Sequence, residues 1–186
     1  MTLNDTIKQI GKDAAKPFFH VSDVGAKQIK EFLINCPELD DYNNIDITKS
    51  EKYKQLFDDI KQIKGPVLYF FEILSDQTPQ TIVDKLNNYS ATINSKAVPA
   101  IKKNFADSKI LYVGKVKRHM WGRLIQHLGF YKVRLTQGLQ LFHWAKEISL
   151  SVRLTILEFE PEMINLMGVL ENELAANIKP ILGKHK

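Results

Sequence analysis

The chain has 186 residues, 44% of them hydrophobic and 25% charged, with a net charge of +5 and one cysteine. This length predicts one domain with an extension, and the composition is typical of a soluble globular protein. The single Cys36 excludes an internal disulfide framework and a cysteine-rich zinc site. The sequence has no apolar stretch of membrane-span length and no apolar signal core near its start, so we expect a cytoplasmic protein without a membrane partner.

The first 64 residues predict a helical N-terminal extension. Apolar residues at helical spacing predict three helices there, over residues 3–15, 22–35 and 50–63. The apolar stripe of the second helix consists of Val24, Ile29, Phe32 and Leu33. The sequence leaves open whether this extension makes the chain a homodimer, caps a sheet or binds another partner.

Residues 65–186 predict a domain that mixes strands and helices. The β-rich runs lie at residues 67–74, 109–116 and 152–159. Helices are expected within residues 76–108 and over residues 118–128, 136–149 and 162–178. The helix expected within 76–108 has a clear start, since Thr78 can cap it and Pro79 fits its first turn. This order predicts a small three-stranded α/β sandwich with a helical prefix.

The positive charge is concentrated in the second half of the chain. Residues 1–100 hold 12 Lys and Arg against 14 Asp and Glu, whereas residues 101–186 hold 14 against 7. Concentrated positive charge indicates a polyanionic partner, most often nucleic acid. Many soluble domains have a basic end and bind no anion, so the charge alone leaves both interpretations open.

The predicted last helix carries a carboxylate on its apolar stripe. Glu171 follows Met167 by four positions and precedes Leu174 by three, so it is expected to face inward. Burying an unpaired carboxylate is costly, and Glu171 should therefore find a cation, a metal or a proton. A structural ion pair, for example with Arg123, is the alternative to a functional role.

The helix predicted over residues 118–128 carries three basic side chains at helical spacing. His119, Arg123 and His127 recur every four positions, away from the expected apolar face. A solvated face would explain one such residue, but three in register after a Tyr-Val-Gly strand end favour an anion-facing site. Tyr69 and Tyr112 lie in two predicted strands, where packing alone explains either, although the pair could present both hydroxyls on one face.

These residues resemble the GIY-YIG nuclease family. The resemblance rests on "YVGKVK" at 112–117, "RLIQH" at 123–127, Glu171 and "KPILGK" at 179–184, and it covers roughly residues 65–186. It implies a three-stranded antiparallel sheet flanked by helices, with residues 76–108 as a helical insertion packed at the sheet edge. It also implies an endonuclease that hydrolyses phosphodiester bonds in DNA with one Mg²⁺ or Mn²⁺ ion.

The resemblance assigns roles to residues of this chain. Tyr69 and Tyr112 match the two motif tyrosines, Arg123 the catalytic arginine, and Glu171 the metal-binding glutamate. His127 matches a position that is often Tyr or His. We expect these five catalytic residues to converge on one concave surface, with Tyr112 or Tyr69 acting on the attacking water and Arg123 on the phosphate. DNA-backbone contacts are expected from Lys102, Lys103, Lys115, Lys117, Arg118, His119, Lys132 and Arg134.

Two other functions stay open. Gly183 stands where the family usually has an asparagine, so the first alternative is a domain that binds nucleic acid without cleaving it. The second is a protein-interaction module whose basic half binds an acidic partner.

Overall fold

The computed structural model describes residues 2–105 and 107–184. The α-helices are Leu3–Val24 (α1), Glu51–Lys61 (α2), Pro79–Ser90 (α3), Met120–Leu128 (α4), Leu141–Trp144 (α5) and Met167–Ile178 (α6). The strands are Gln28–Asn35 (β1), Val67–Ile73 (β2), Ile110–Val116 (β3) and Ser151–Glu158 (β4). Short 3₁₀ helices cover Cys36–Glu38, Ile47–Lys49, Ala145–Ile148 and Pro161–Asn165.

The four strands form one antiparallel sheet in the order β1-β4-β2-β3. The prediction of a mixed helix-and-sheet fold is confirmed, but the expected number of three strands is wrong. The extra strand, β1, comes from the N-terminal region and pairs with β4 along its whole length. Strands β2 and β4 are internal, whereas β3 and β1 lie at the two edges of the sheet.

The helix predicted over residues 22–35 is wrong, because most of that segment is β1. Burial alternates along the strand: Phe32 and Ile34 face the core, whereas Ile29 and Leu33 are exposed. A spacing of four positions between two apolar residues suits a helix face and also suits one face of a strand. Pairing with β4 makes this segment a strand and not a helix. The predicted N-terminal extension is therefore not wholly helical.

The helices beyond β1 lie close to their predicted positions, with one exception. Helices α2, α4 and α6 fall within the predicted ranges 50–63, 118–128 and 162–178. Over residues 136–149 the structure has only the single turn of α5 and a following 3₁₀ helix. The Gln140 backbone before α5 is left-handed, with φ 57°, which prevents the helix from starting earlier.

The segment 76–108 contains α3 and contributes no strand to the sheet in its described residues. Helix α3 begins as predicted, since the Thr78 side chain accepts a hydrogen bond from the Thr81 backbone and Pro79 occupies the first turn. The chain then runs along the sheet edge, where Ile101 pairs with Leu182 and Leu182 pairs with Tyr112 of β3.

Apolar side chains cover both faces of the sheet. The larger core lies on the face of α4 and includes Tyr69, Phe71 and Leu124. A smaller cluster on the other face joins Leu68 and Met167, and part of α1 packs against it. Among the described helices, none combines the length and apolar character that a membrane crossing requires.

Candidate active site

Strands β2 and β3 place a tyrosine directly opposite a glycine. Tyr69 pairs with Gly114 in the antiparallel ladder, so both lie on the sheet face that α4 covers. A Cβ atom on residue 114 would overlap the Tyr69 hydroxyl group. Glycine at this position therefore leaves the space that the fully buried Tyr69 side chain occupies.

Arg123 and His127, one turn apart on α4, both contact the Tyr69 hydroxyl. Arg123 Nε donates to Tyr69 Oη over 2.9 Å, and His127 Nε2 lies 2.9 Å from the same oxygen. The backbone N–H of Leu139 donates to His127 Nδ1 over 3.2 Å. Since a neutral imidazole carries one N–H, Nδ1 is the acceptor and Nε2 donates to Tyr69. Tyr69 Oη thus accepts two hydrogen bonds, and its own proton is available to another acceptor.

That acceptor is the hydroxyl of Tyr112. The ring centroids of Tyr69 and Tyr112 are 6.1 Å apart, and a hydrogen bond joins the two side chains. Burial raises the pKa of Tyr69 well above its usual value, and Tyr112 raises it further. Arg123 Nη2 also donates to Tyr112 Oη, over 3.3 Å. Two donors therefore converge on Tyr112 Oη, where they would stabilise negative charge.

His127 is a neutral, fully buried residue beneath this pair. Burial lowers the pKa of His127 well below its usual range, and the charge of Arg123 lowers it further. The expectation that His127 lies away from the core, on an anion-facing stripe, is therefore wrong, because its ring packs against Tyr69 and Phe71. His119 precedes α4 in a left-handed conformation, with φ 61°, and is exposed.

The Arg123 guanidinium is directed into the protein. Besides its bonds to the two tyrosines, Nη1 donates to Gln126 Oε1 and to the Gln137 carbonyl oxygen, each over 2.7 Å. All three guanidinium nitrogens thus have partners. Arg123 holds the tyrosine pair and the loop at Gln137 in place.

Tyr112 and Glu171 line one small open cavity. Its volume is about 260 Å³. The lining residues are Pro99, Ala100, Tyr112, Gln137, Glu171, Asn172, Gly183 and Lys184. Tyr112 is the half-buried member of the tyrosine pair, and Glu171 is 9% exposed. The cavity therefore brings the accessible tyrosine and the inward carboxylate to the same space.

The cation that pairs with Glu171 is Lys115. Lys115 Nζ bonds Glu171 Oε2, and the lysine side chain is 38% exposed. Lys115 pairs with Leu68 in the ladder, so it lies on the face that α6 covers. The expected inward position of Glu171 is confirmed, but the suggested ion pair with Arg123 is not formed.

Glu171 and Arg123 come from opposite faces of the sheet, which differs from the expected single concave surface. Helix α6 packs on the Leu68 face, and α4 packs on the Tyr69 face. Tyr112 and Glu171 nevertheless line the same cavity, because β3 is an edge strand and the cavity lies beside it. Tyr69, Arg123 and His127 do not line this cavity and contact Tyr112 from the protein interior.

Five of the predicted DNA contacts lie in two exposed places. Lys117, Arg118 and His119 occupy the turn between β3 and α4, where Lys117 Nζ is 3.5 Å from Asn165 Oδ1. Lys132 and Arg134 lie after α4. Arg134 donates to the carbonyl oxygens of residues 93 and 95, so part of its function is to hold that loop.

Several cavity residues were not identified from the sequence. Asn172 follows Glu171 directly, and Lys184 belongs to the "KPILGK" segment, so their closeness to the motif residues could have identified both. No sequence feature could have identified Gln137, because it lies in a loop whose path depends on the hydrogen bond from Arg123 to the Gln137 carbonyl oxygen.

A divalent ion would find one carboxylate here. The described residues include no group of three or more His, Cys, Asp or Glu side chains that could hold a metal. Glu171 with the nearby amides of Asn172 and Gln137 offers oxygen donors of the kind Mg²⁺ accepts. Mg²⁺ commonly takes one or two carboxylates and completes its shell with water and substrate phosphate, so this donor set fits it.

Comparisons with known proteins add no relative. No family model matches the chain, no curated protein matches it, and no solved structure matches it.

Proposed function

We propose that the chain is a metal-dependent endonuclease of the GIY-YIG type that hydrolyses phosphodiester bonds in DNA. The observation that carries the proposal is the shared cavity of Tyr112 and Glu171. A phenol that receives two hydrogen bonds and a buried carboxylate beside it are suited to activate water and to bind a cation.

Tyr112 is the residue that acts on water. Of the two motif tyrosines it alone lines the cavity, whereas Tyr69 is fully buried. Tyr112 first gives its own proton to solvent and reacts as the phenolate. The attacking water then forms a bond to phosphorus and gives a proton to Tyr112 Oη, and the bond from phosphorus to the leaving oxygen breaks. The leaving oxygen takes a proton from solvent.

Tyr69, Arg123 and His127 position Tyr112. Tyr69 and Arg123 donate to Tyr112 Oη and so stabilise the charge that a phenolate carries. His127 stays neutral and fixes the direction of the Tyr69 proton. The family resemblance implies that Arg123 acts on the phosphate, whereas its hydrogen bonds favour a role in positioning the tyrosine pair.

Glu171 would hold the single divalent ion. When bound, that ion supplies Lewis-acid activation of the scissile phosphate. Lys115 forms an ion pair with the carboxylate and would contact substrate phosphate once the carboxylate has another partner. Lys184, exposed at the cavity, is a second phosphate contact.

Binding of nucleic acid without cleavage is the second candidate. It is favoured by the Lys115–Glu171 ion pair, which already satisfies the carboxylate, and by Gly183 at the cavity. The basic second half of the chain suits either candidate.

Incubation with duplex, flap and single-stranded DNA in Mg²⁺, Mn²⁺ or EDTA tests the proposal. We expect metal-dependent cleavage that Tyr112→Phe removes. A wild-type protein that binds DNA and cleaves none of these substrates would support the second candidate instead.

A further inference from the structure

A larger cleft lies beyond the candidate active site, at the other end of α6. Its volume is about 760 Å³, and it is lined by residues 103–105 and 107–109, by the start of α3 and by the end of α6. Lys103, Lys109 and Lys179 border it, and Asp107 is its one acidic lining residue among those described. The cleft is therefore strongly positive.

The lysines of this cleft have no ion-pair partner in the part of the chain that the structure describes. Lys103, Lys109 and Lys179 are exposed, and none forms an ion pair with another described residue. Other lysines, such as Lys85 and Lys115, do have carboxylate partners. Three unpaired ammonium groups around one concave surface are suited to a ligand that carries several negative charges.

The cleft, an intermediate hollow and the Tyr112 cavity lie in succession along α6, and together they are called the groove. The intermediate hollow shares Lys103 and Lys179 with the cleft and is floored by Ala175 and Ala176 of α6. One turn earlier on the helix, Asn172 lines the cavity of Tyr112. From Glu171 to Lys179 the helix rises about 12 Å, the length of roughly three to four nucleotides at the ~3.4 Å rise of a DNA strand.

We infer that this groove binds a single polynucleotide strand that extends from the candidate active site. The path of the strand past the Tyr112 cavity rests on the proposed function. The choice of a polyanionic ligand rests on the unpaired lysines. A cleft of this volume is in the size range of small-molecule sites and accommodates an unpaired strand better than a duplex. Phe105, half-buried in the cleft lining, offers an aromatic surface of the kind that bases stack on.

The test compares two triple variants with the same change in charge. Lys103→Ala/Lys109→Ala/Lys179→Ala removes the cleft lysines, and Lys8→Ala/Lys12→Ala/Lys54→Ala removes three exposed lysines of α1 and α2. Binding of fluorescent oligothymidylate is measured by anisotropy across a salt series in EDTA, so that no cleavage occurs. Thermal unfolding checks that both variants fold.

We expect the cleft variant to weaken oligothymidylate binding about tenfold or more and to reduce the salt slope by about 2, whereas the control variant binds like wild type. A dinucleotide, too short to reach the cleft, should bind both variants equally. Equal losses in both triple variants, or no binding of oligothymidylate by wild type, would overturn the groove. Displacement of oligothymidylate by polyglutamate at equal charge would also overturn the proposal, because it would indicate an acidic protein partner.

The outcomes separate the groove from the proposed function. If wild-type protein binds oligothymidylate through the three lysines but cleaves no DNA, the strand-binding groove is supported and the nuclease proposal is refuted. If the cleft variant binds and cleaves like wild type, the nuclease proposal is supported and the strand-binding groove is refuted.

Discussion

Tyr69 and Gly114 face each other across β2 and β3, and the glycine leaves room for the tyrosine hydroxyl. That hydroxyl connects Arg123 and His127 to Tyr112. The pair thus links the packing of the sheet to the geometry of the candidate site.

Gly114→Ala should destabilise the protein. Its methyl group would overlap the Tyr69 hydroxyl, and forced overpacking of a core costs about 1–3 kcal/mol. Gly122→Ala is a matched control, because a Cβ atom there meets nothing within 4 Å inside α4, so a gain of about 0.5–1 kcal/mol is expected. Urea unfolding of both variants measures the difference, and a Gly114→Ala protein as stable as wild type would contradict the close approach.

Removing the two tyrosine hydroxyls should have different effects. Tyr69→Phe leaves the buried donors of His127 and Arg123 without their acceptor, at a cost of about 1–3 kcal/mol. Tyr112→Phe alters a half-buried group at the cavity, so it should lose DNA cleavage with a smaller loss of stability. Unfolding and cleavage measured on the same preparations test this. If Tyr112→Phe cleaved DNA at the wild-type rate, the assignment of Tyr112 as the base would be wrong.

Glu171→Ala should abolish metal-dependent cleavage and leave DNA binding largely intact. Backbone affinity comes from lysines and arginines, whereas the carboxylate is proposed to hold the divalent ion. Lys115 is partly exposed and can be solvated once unpaired, so the loss of stability should be below about 1 kcal/mol. Glu173→Ala, on the exposed side of α6, is the control. Cleavage by Glu171→Ala at the wild-type rate would rule out the metal role of Glu171.

Stability should fall as the solution is acidified through the range of histidine titration. The pKa of His127 is lowered in the fold, so the folded state resists a proton that the unfolded state accepts below about pH 6.5. The stabilisation is therefore present above that pH and is lost below it, with a slope approaching about 1.4 kcal/mol per pH unit. His143, whose pKa burial also lowers, contributes in the same direction.

His127→Gln isolates the share of His127 in this pH dependence. Urea unfolding between about pH 5 and 7 keeps most carboxylates ionised and should show a shallower slope for the variant than for wild type. His143→Gln serves as the comparison. Identical slopes for wild type and His127→Gln would show that His127 is not held neutral in the fold.

Much of the candidate site followed from the sequence because its residues lie in strongly patterned elements. The β-rich runs placed Tyr69 and Tyr112 in strands, and the apolar stripe of α6 placed Glu171 inward. Whether these residues form a nuclease site is still a prediction. The pairing of Glu171 with Lys115 was not predictable, since it depends on how α6 crosses the edge strand β3.

The errors have a common physical origin in tertiary contacts that override local spacing. Ile29 and Leu33 fit a helix stripe, but pairing with β4 makes their segment a strand. His127 lies on the core side of α4 because its ring nitrogens find Tyr69 and the Leu139 backbone, partners that no local pattern reveals. His119 leaves the helix altogether, since its backbone is left-handed.

The pairing of β1 with β4 has a consequence for how the chain folds. Gln28 contacts Glu158 across 130 positions of sequence, and closing so large a loop slows folding relative to local pairings. During synthesis the N-terminal segment emerges first and carries its apolar side chains without a partner strand. Strand β4 is also the neighbour of β2 on the other side. The sheet can therefore be completed only after residues 151–158 have left the ribosome.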